Sequence, residues 1–565
     1  MSSTDNLLGE GTEFSVGEET RRYNLIAGKL IADLIKTSFG PRGFEKIYID
    51  LLGEVTLSKN GSTILRKIDV EHPAAKLMID ASNSVDNEVG DGTISVVVLA
   101  GSLLEKAEKM LDLGISPSTI EAGYKRAGEM ALDIVKSIAK ISNYKNKEIM
   151  INLAKTCLNS KSISMLCEDK PIAELVTEAF CTIADFTNKK VETDDIKIEE
   201  KPGNTSDIKL VRGIVIDKTI DNSGMPRILK NAKILLINEE LDNERTKTDA
   251  EIIIHSPEEM QQYISQENED VKEKTQKIIN SGANVVVSQK GISRLAQHYL
   301  SRAGMISIRR VKENDLHWLE KAVGGIITND LNNITPEHLG FAGNVYEKFV
   351  GDDKMVFVEG CKNPKSVTIL LRANSKRLLD EYHRTVLDAI AVLKDFFVNP
   401  SIVAGGGSAE IIIANKLRKK SLLIEGKEQT VIENFADALE EIPLTIARNS
   451  GMNVIDALVQ LRSKNSEHNN GRIHSWYGID TGERKVKEMY SENVIEPLIV
   501  KEQVIKTASD VASLLLRVDE VIMKQPAMYT HTHGDGTTHS HAKGNKPHDH
   551  FDKLGKMQRP AHHYY

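Results

Sequence analysis

The segment from Val89 to Ser95 combines residue types that could bind a phosphate group and a metal ion. A glycine turn that opens a helix leaves backbone N–H groups unpaired, and the helix dipole favours an anion there. Asp91 could supply a hard oxygen ligand for Mg²⁺, while Thr93 and Ser95 could donate hydrogen bonds to phosphate oxygens. The alternative is an ordinary Asp-Gly turn in which Thr93 caps the helix.

Two other glycine turns lead into helix-like segments, at residues 59–63 and 404–408. Each would present N–H groups at the start of a helix in the same way. A second Gly-Asp-Gly-Thr, at residues 534–537, lies in a polar tail with no helix after it, and we interpret it as a flexible stretch. If the three turns that open helices converge in space, they could surround one phosphate-bearing ligand.

The turn at Asp91 needs a helix to hold it. The apolar residues after it recur at spacings of three and four and share one helical face: Val96, Leu99, Ala100, Leu103, Ala107, Met110 and Leu111. Similar patterns predict helices at residues 21–39, from 64 onward, within 70–142 and 146–185, and at 380–397 and 408–461. A hairpin is predicted at residues 46–57.

Short β-branched segments after Ile196 predict strands at residues 196–198, 208–211, 214–216, 234–237, 252–254, 284–288 and 305–309. Helical segments lie between them, so residues 214–365 are predicted to be an α/β region. Its best-marked helix begins after Ser256 with Pro257 and ends near Gly282. This region separates two helical halves, which we expect to form one unit.

Composition argues against several classes of function. The chain has 565 residues, a net charge of −8 and 40% apolar residues, as globular proteins do. No basic block indicates nucleic acid as a partner, and no apolar run approaches the roughly 20 residues that cross a membrane. The N-terminus is unlike a signal, and the four cysteines form no CxxC pair, so we expect a cytoplasmic protein with reduced thiols.

Several short motifs together give the chain a family resemblance. They are SFGPRG at 38–43, HPAAK at 72–76, EVGDGT at 88–93, VRGIVIDK at 211–218, SQKGI at 288–292, VEGC at 358–361 and AGGG at 404–407. On these residues the chain resembles the group II chaperonins, the family of the archaeal thermosome and the eukaryotic cytosolic chaperonin, and is most similar to thermosome subunits. The match runs from about residue 20 to 524. No GxxxxGK[ST] occurs, so the chain is not a P-loop ATPase.

The resemblance implies a multidomain α and α/β chaperonin fold. A mainly helical equatorial domain would take residues 1–145 and 402–525, and a small intermediate domain would take 146–213 and 366–401. The α/β apical domain would take 214–365, with a helical lid protrusion near 241–270.

The resemblance also implies ATP and Mg²⁺ as cofactors. Asp91 would hold the metal, Asp388 would orient the attacking water, and Lys161 would sense the γ-phosphate. The residues implied to contact ATP are Gly40, Pro41, Gly61, Gly92, Thr93, Ser95, Lys161, Gly406, Gly407, Asp480 and Glu496. Without the family resemblance, we would interpret Asp388 as an ordinary solvent-exposed acid on a helix.

Asn60 is the main departure from the family pattern, which usually has Asp at this catalytic position. Asn keeps one acceptor oxygen but loses the charge, so we expect slower hydrolysis with nucleotide binding largely kept. Further departures are Ile94, residues 371–375 and Arg448.

Two functions follow: a chaperone subunit that uses ATP to close a lid over unfolded protein, or a structural or regulatory ring subunit that hydrolyses ATP poorly.

The implied partners are copies of the chain or paralogous subunits, in a double ring of eight or nine per ring, and unfolded polypeptides, but neither nucleic acid nor a membrane. Candidate client-binding residues are Leu295, Tyr299, Leu300, Met260, Tyr263 and Ile264, with ordinary core packing as the alternative.

The tail after Gln525 carries half of the chain's 16 histidines. We expect residues 526–565 to be disordered and to point into the ring cavity, or else to bind Ni²⁺, Zn²⁺ or Cu²⁺.

Overall fold

The computed structural model describes residues 12–161, 171–242, 256–362, 364–466, 475–524, 528–532 and 538–542. The described α-helices are α1 Glu18–Lys36, α2 Gly61–Lys67, α3 Pro73–Val89, α4 Thr93–Asp112, α5 Pro117–Ile138, α6 Lys147–Asn159, α7 Ile172–Ile183, α8 Pro257–Asn280, α9 Arg294–Arg302, α10 Glu313–Val323, α11 Lys376–Val398, α12 Ser408–Ser421, α13 Lys427–Asn449, α14 Val454–Lys464 and α15 Leu498–Arg517.

The described strands are β1 Thr12–Val16, β2 Lys46–Ile49, β3 Val55–Ser58, β4 Lys140–Ile141, β5 Ile196–Pro202, β6 Lys209–Val211, β7 Gly213–Ile216, β8 Ile228–Ile237, β9 Val285–Ser288, β10 Ile306–Ile308, β11 Leu339–Val350, β12 Asp353–Glu359, β13 Val367–Ala373, β14 Ser401–Ala404, β15 Tyr477–Asp480, β16 Lys485–Glu488, β17 Ile495–Pro497, β18 Glu520–Lys524, β19 Met528–Thr532 and β20 Thr538–Ala542.

The first hydrophobic core is built from both ends of the chain, with residues from 25–138 and from 403–516. Helix α4 lies at its centre and packs against α1, α3, α13 and α15. Its segment Val96–Leu104 is buried on every side, as expected for a helix that is apolar all round. The two helical halves of the sequence therefore form one packed unit.

The second core lies between residues 214 and 358, around a six-stranded sheet with the order β10-β9-β8-β11-β12-β7. Strands β8, β9 and β10 are parallel, whereas β11 is antiparallel to both β8 and β12. Helices α8, α9 and α10 belong to the same region. The long strand β11 was missed in the sequence because its polar residues alternate irregularly with the buried ones.

The third core combines residues 150–196 with residues 367–402. It packs α7 and α11 against the three-stranded sheet β5-β13-β6, and α6 packs against these two helices. Lys197 joins it to the second core, because its buried Nζ donates to Val215 O at 2.7 Å and pairs with Asp315 at 2.6 Å. Helix α11 connects this core to the first one, as described below.

Several local predictions agree with the structure. Strands β2 and β3 form the predicted hairpin, and α8 spans the 24 residues predicted from its N-cap and its terminal glycine. Residues 257–270 of α8 are exposed, and the helix joins the second core only from Val271 onward. The predicted strand at 252–254 and the rest of the predicted lid between 243 and 255 lie outside the described residues.

The tail differs from the prediction of disorder over two short segments. Strands β19 and β20 pair in antiparallel register, with His531 opposite His539. In both segments aromatic or histidine residues stand at every second position, the period of a strand, and β-favouring threonine and tyrosine occur among them. The other tail residues, 526–527, 533–537 and 543–565, lie outside the described part. None of the described helices is both long and apolar enough to cross a membrane.

Candidate active site

A cavity of about 490 Å³ lies in the first core where the N-termini of α2, α4 and α12 meet. The convergence of three glycine turns from distant parts of the sequence is therefore present in the structure. The predicted residues that line this cavity are Gly40, Pro41, Asn60, Gly61, Asp91, Gly92, Thr93, Ser95, Lys161, Gly406, Gly407, Asp480 and Glu496.

The turn at Asp91 leaves the first amides of α4 free for a ligand. Gly92 is the N-cap with a φ of 83°, and the first helical hydrogen bond runs from Val96 N to Gly92 O at 3.1 Å. The helix therefore does not use the N–H groups of Thr93, Ile94 and Ser95. Thr93 lies inside the helix, so the interpretation of it as an N-cap was wrong.

Glycine is required at these turns because other backbone and side-chain atoms approach closely. A Cβ on Gly92 would lie 2.8 Å from Val504 Cγ2. A Cβ on Gly407, which caps α12 with a φ of 76°, would lie 2.4 Å from Pro443 Cβ. The packing of both turns against neighbouring side chains therefore leaves no room for a Cβ.

The Asp91 carboxylate lines the cavity and forms no direct ion pair among the described residues, although its charge is felt by the nearby Lys161 ammonium group. Its Oδ1 accepts a hydrogen bond from Gly92 N at 2.8 Å. Buried Cys157 lies beside it, and burial together with the Asp91 charge raises the pKa of that thiol, which therefore stays protonated. The remaining oxygen positions of Asp91 can bind a cation from the cavity side.

Asp388, on α11 in the third core, does not itself line the cavity but contacts two residues that do, Asn60 and Lys161. Its Oδ2 accepts a hydrogen bond from Asn60 Nδ2 at 2.9 Å and forms a buried ion pair with Lys161 Nζ. Burial, only partly offset by Lys161, raises the pKa of Asp388 to about 6. Asp388 is 8% exposed, so its interpretation as a solvated helix acid was wrong.

Lys161 is held in the charged form at this point. Burial opposes its charge, but the neighbouring Asp388 and Asp91 outweigh that effect and raise the pKa of Lys161. The ammonium group therefore carries its charge at neutral pH next to the cavity.

Glu381 is a second α11 carboxylate that contacts this site, and the sequence interpretation missed it. Its Oε2 accepts a hydrogen bond from Ser58 Oγ at 2.8 Å, and its Oε1 accepts one from Lys59 N at 3.2 Å. The signal available in the sequence is the spacing of seven residues from Asp388, which puts both acids on one face of a helix.

The cavity lining also includes a buried lysine, Lys501, that sequence reasoning missed. Lys501 Nζ lies 2.6 Å from Glu496 Oε2 and 2.7 Å from Glu410 Oε1. Burial raises the pKa of Glu496 although Lys501 opposes the shift. Asp480 lines the cavity as well, and its carboxylate pairs with Lys487 at 2.9 Å.

The departures from the family pattern have local structural roles. Asn60 caps α2, since its Oδ1 accepts from Thr63 N at 3.3 Å. The Ile94 side chain packs over Gly61, where a Cβ would lie 2.6 Å from Ile94 Cγ1. Arg448 pairs with Glu441 at 3.2 Å, and Ser375 caps α11.

The predicted client-binding residues divide into two groups. Leu300 is fully buried in the second core, so its assignment to a client surface was wrong; α9 turns Ala296 and Leu300, four residues apart, toward the sheet. Leu295 packs partly against the same core, and Tyr299 is half-buried. Met260, Tyr263 and Ile264 are 53%, 49% and 47% exposed and share one face of α8.

Comparison with known proteins gives a consistent family. The model of the TCP-1/cpn60 chaperonin family matches residues 31–526. A thermosome subunit alpha of Archaeoglobus fulgidus is 44% identical over 519 residues, which cover 91% of this chain and 94% of the relative. A thermosome subunit of Pyrococcus abyssi is 43% identical over 92% and 94% of the two chains, and one of Methanocaldococcus jannaschii is 42% identical over 94% and 97%.

Proposed function

Because this chain belongs to the TCP-1/cpn60 chaperonin family, we propose that it is a chaperonin subunit that binds Mg²⁺ and ATP and hydrolyses the nucleotide. We propose further that hydrolysis closes a built-in lid over unfolded protein in a double ring. The observation that carries the proposal is the meeting of three helix N-termini and Asp91 at one cavity, with Asp388 bonded to two of its lining residues, Asn60 and Lys161.

The donors at the cavity fit a magnesium-bound triphosphate. The unused amides of Thr93, Ile94 and Ser95 suit phosphate oxygens, and the Asp91 carboxylate, which forms no direct ion pair among the described residues, suits a hard divalent cation. Bound Mg²⁺ would neutralise charge that develops on the phosphates. Lys161 adds a fixed positive charge on the same side.

Asp388 is suited to hold the attacking water. With a pKa of about 6 it is mostly ionised at neutral pH, so its carboxylate can accept a hydrogen bond or a proton. It lies on α11, which belongs to the third core, whereas Asp91 belongs to the first. Movement of α11 would therefore bring Asp388 to the site and remove it, which couples hydrolysis to domain motion.

The exposed half of α8 supports the client-binding part of the proposal. Met260, Tyr263 and Ile264 form an apolar strip on a helix that projects from its core. Such a strip suits apolar segments of an unfolded chain. Relatives that are named as subunits support assembly with copies or paralogues.

A second candidate is a regulatory subunit that binds ATP but hydrolyses it poorly. The observation that favours it is the pairing of Asp388 Oδ2 with two donors, Asn60 and Lys161. A carboxylate held in this way is less free to hold a water molecule.

The test is Mg²⁺-dependent ATP hydrolysis by the purified assembly, measured in single turnover. Asp388→Asn should lower the hydrolysis rate about 100-fold or more while ATP still binds. Asp91→Asn should weaken the Mg²⁺ dependence, whereas Asp510→Asn, at an exposed site on α15, should change neither. A wild-type rate as low as that of Asp388→Asn would favour the regulatory candidate, and absence of ATP binding would contradict both.

A further inference from the structure

Helix α11 carries two buried carboxylates that contact the same turn of the first core. Glu381 and Asp388 are about two helical turns apart and so lie on one face. Asp388 meets the side chain of Asn60, while Glu381 meets the two preceding residues, Ser58 and Lys59. The turn from Ser58 to Asn60 is thus held at both ends by one helix of another core.

The Glu381 carboxylate is buried and is hydrogen-bonded to the Ser58–Asn60 turn. The side chain is 3% exposed, and among the described residues it accepts hydrogen bonds from three donors, Ser58 Oγ at 2.8 Å, Lys59 N at 3.2 Å and Arg384 Nη2 at 3.0 Å. Two of these donors belong to the turn. If α11 moved away from the turn without water replacing them, the buried charge would lose most of its partners.

Ser58 connects Glu381 to Asn60 through two hydrogen bonds. Ser58 Oγ, which donates to Glu381, accepts a hydrogen bond from Asn60 N at 3.0 Å. The side chain of Asn60 in turn donates to Asp388. Glu381 therefore influences both the backbone and the orientation of the residue that meets Asp388.

We infer that Glu381 is a positioning residue, which docks α11 on the Ser58–Asn60 turn and so sets the place of Asp388 beside the cavity. Its effect on the reaction rate rests on the proposed ATP hydrolysis. The docking contact itself does not, so the two can be tested separately.

The first experiment is a double-mutant cycle on the assembled protein, in which Glu381→Gln keeps the size and removes the charge. Glu381→Gln should lower kcat about tenfold and leave KM for ATP within about twofold, because the change displaces Asp388 and not the nucleotide. In an Asp388→Asn background, Glu381→Gln should cause no further loss. Ser58→Ala removes the same hydrogen bond from the other side and should reproduce the effect on kcat.

The matched control is Asp380→Asn, which removes the neighbouring carboxylate on the same helix and should leave kcat unchanged. An equal loss of rate from Glu381→Gln in the wild-type and the Asp388→Asn backgrounds would overturn the inference, because Glu381 would then act independently of Asp388. Unchanged kcat in Glu381→Gln would overturn it as well.

The second experiment does not need hydrolysis. Hydrogen exchange of the Lys59 amide, measured by mass spectrometry on peptides that cover residues 55–62, should become faster in Glu381→Gln, since this amide donates to Glu381. Faster exchange in an assembly that does not hydrolyse ATP would support the docking role and refute the proposed function. Unchanged exchange would refute the docking role, whatever the hydrolysis rate.

Discussion

Asn60 Nδ2 donates a hydrogen bond to Asp388 Oδ2 across 2.9 Å, and 328 residues separate the two in sequence. The bond joins the cap of α2 in the first core to α11 of the third core. An aspartate at position 60 would place a second carboxylate at this distance, and like charges so close would repel each other. The amide of Asn60 thus favours contact between the two cores.

Asn60→Asp should speed hydrolysis several-fold, because it frees Asp388 from the amide and adds a charge that faces the cavity, while Glu381 still docks α11 on Ser58 and Lys59. The measurement is the single-turnover rate at saturating Mg²⁺ and ATP. Asn60→Ala, which also frees Asp388 but adds no charge, is the control. A slower rate in Asn60→Asp than in wild type would show that the amide assists Asp388.

Hydrolysis should depend on pH through Asp388. Since its pKa is about 6, the carboxylate is ionised above that pH and becomes protonated as the pH falls through it, so kcat should fall between pH 7 and pH 5. The Asp388→Asn variant should lack this inflection. Asp395 is the other candidate for such an inflection, because burial raises its pKa to about 7. If Asp388 causes the inflection, the Asp395→Asn variant should still show it.

Gly92→Ala should lower both stability and nucleotide affinity. The positive φ of 83° costs about 1 kcal/mol for a residue with a Cβ, and the contact with Val504 adds to it. Gly114→Ala is a matched control, with a φ of 77° but nothing within 4 Å of the new Cβ. Thermal unfolding and ATP titration of both variants separate the backbone strain from the steric effect; equal losses in both would contradict the role of Val504.

Replacing Met260, Tyr263 and Ile264 together by serine should weaken the capture of unfolded protein without changing ATP hydrolysis. These side chains are exposed, so the change removes apolar surface and leaves the core intact. Light scattering of a denatured model protein in the presence of the assembly measures the effect. The polar pair Gln262 and Gln266 on the same helix, changed to serine, is the control, and unchanged capture in the triple variant would rule out this strip.

Local features of the site could be predicted from the sequence because they depend on neighbours in the chain. The glycine turn at Asp91, the N-cap of α8 at Ser256 and the hairpin of β2 and β3 each follow from residues within one or two turns. The family resemblance also predicted, from the sequence alone, that the residues now seen to line the cavity share one site. Their roles toward ATP, and the domain boundaries, stay predictions.

Contacts between remote residues could be assigned only from the tertiary structure. The docking of Glu381 on Ser58 and the buried lysine Lys501 between Glu410 and Glu496 join segments far apart in the chain. Leu300 was misassigned for a related reason: periodicity shows that a helix has an apolar face but not what covers it. The chemistry available at each turn was set by the local sequence, whereas packing of separate cores decided which carboxylates meet at the cavity, because burial and charge pairing depend on neighbours that chain order does not specify.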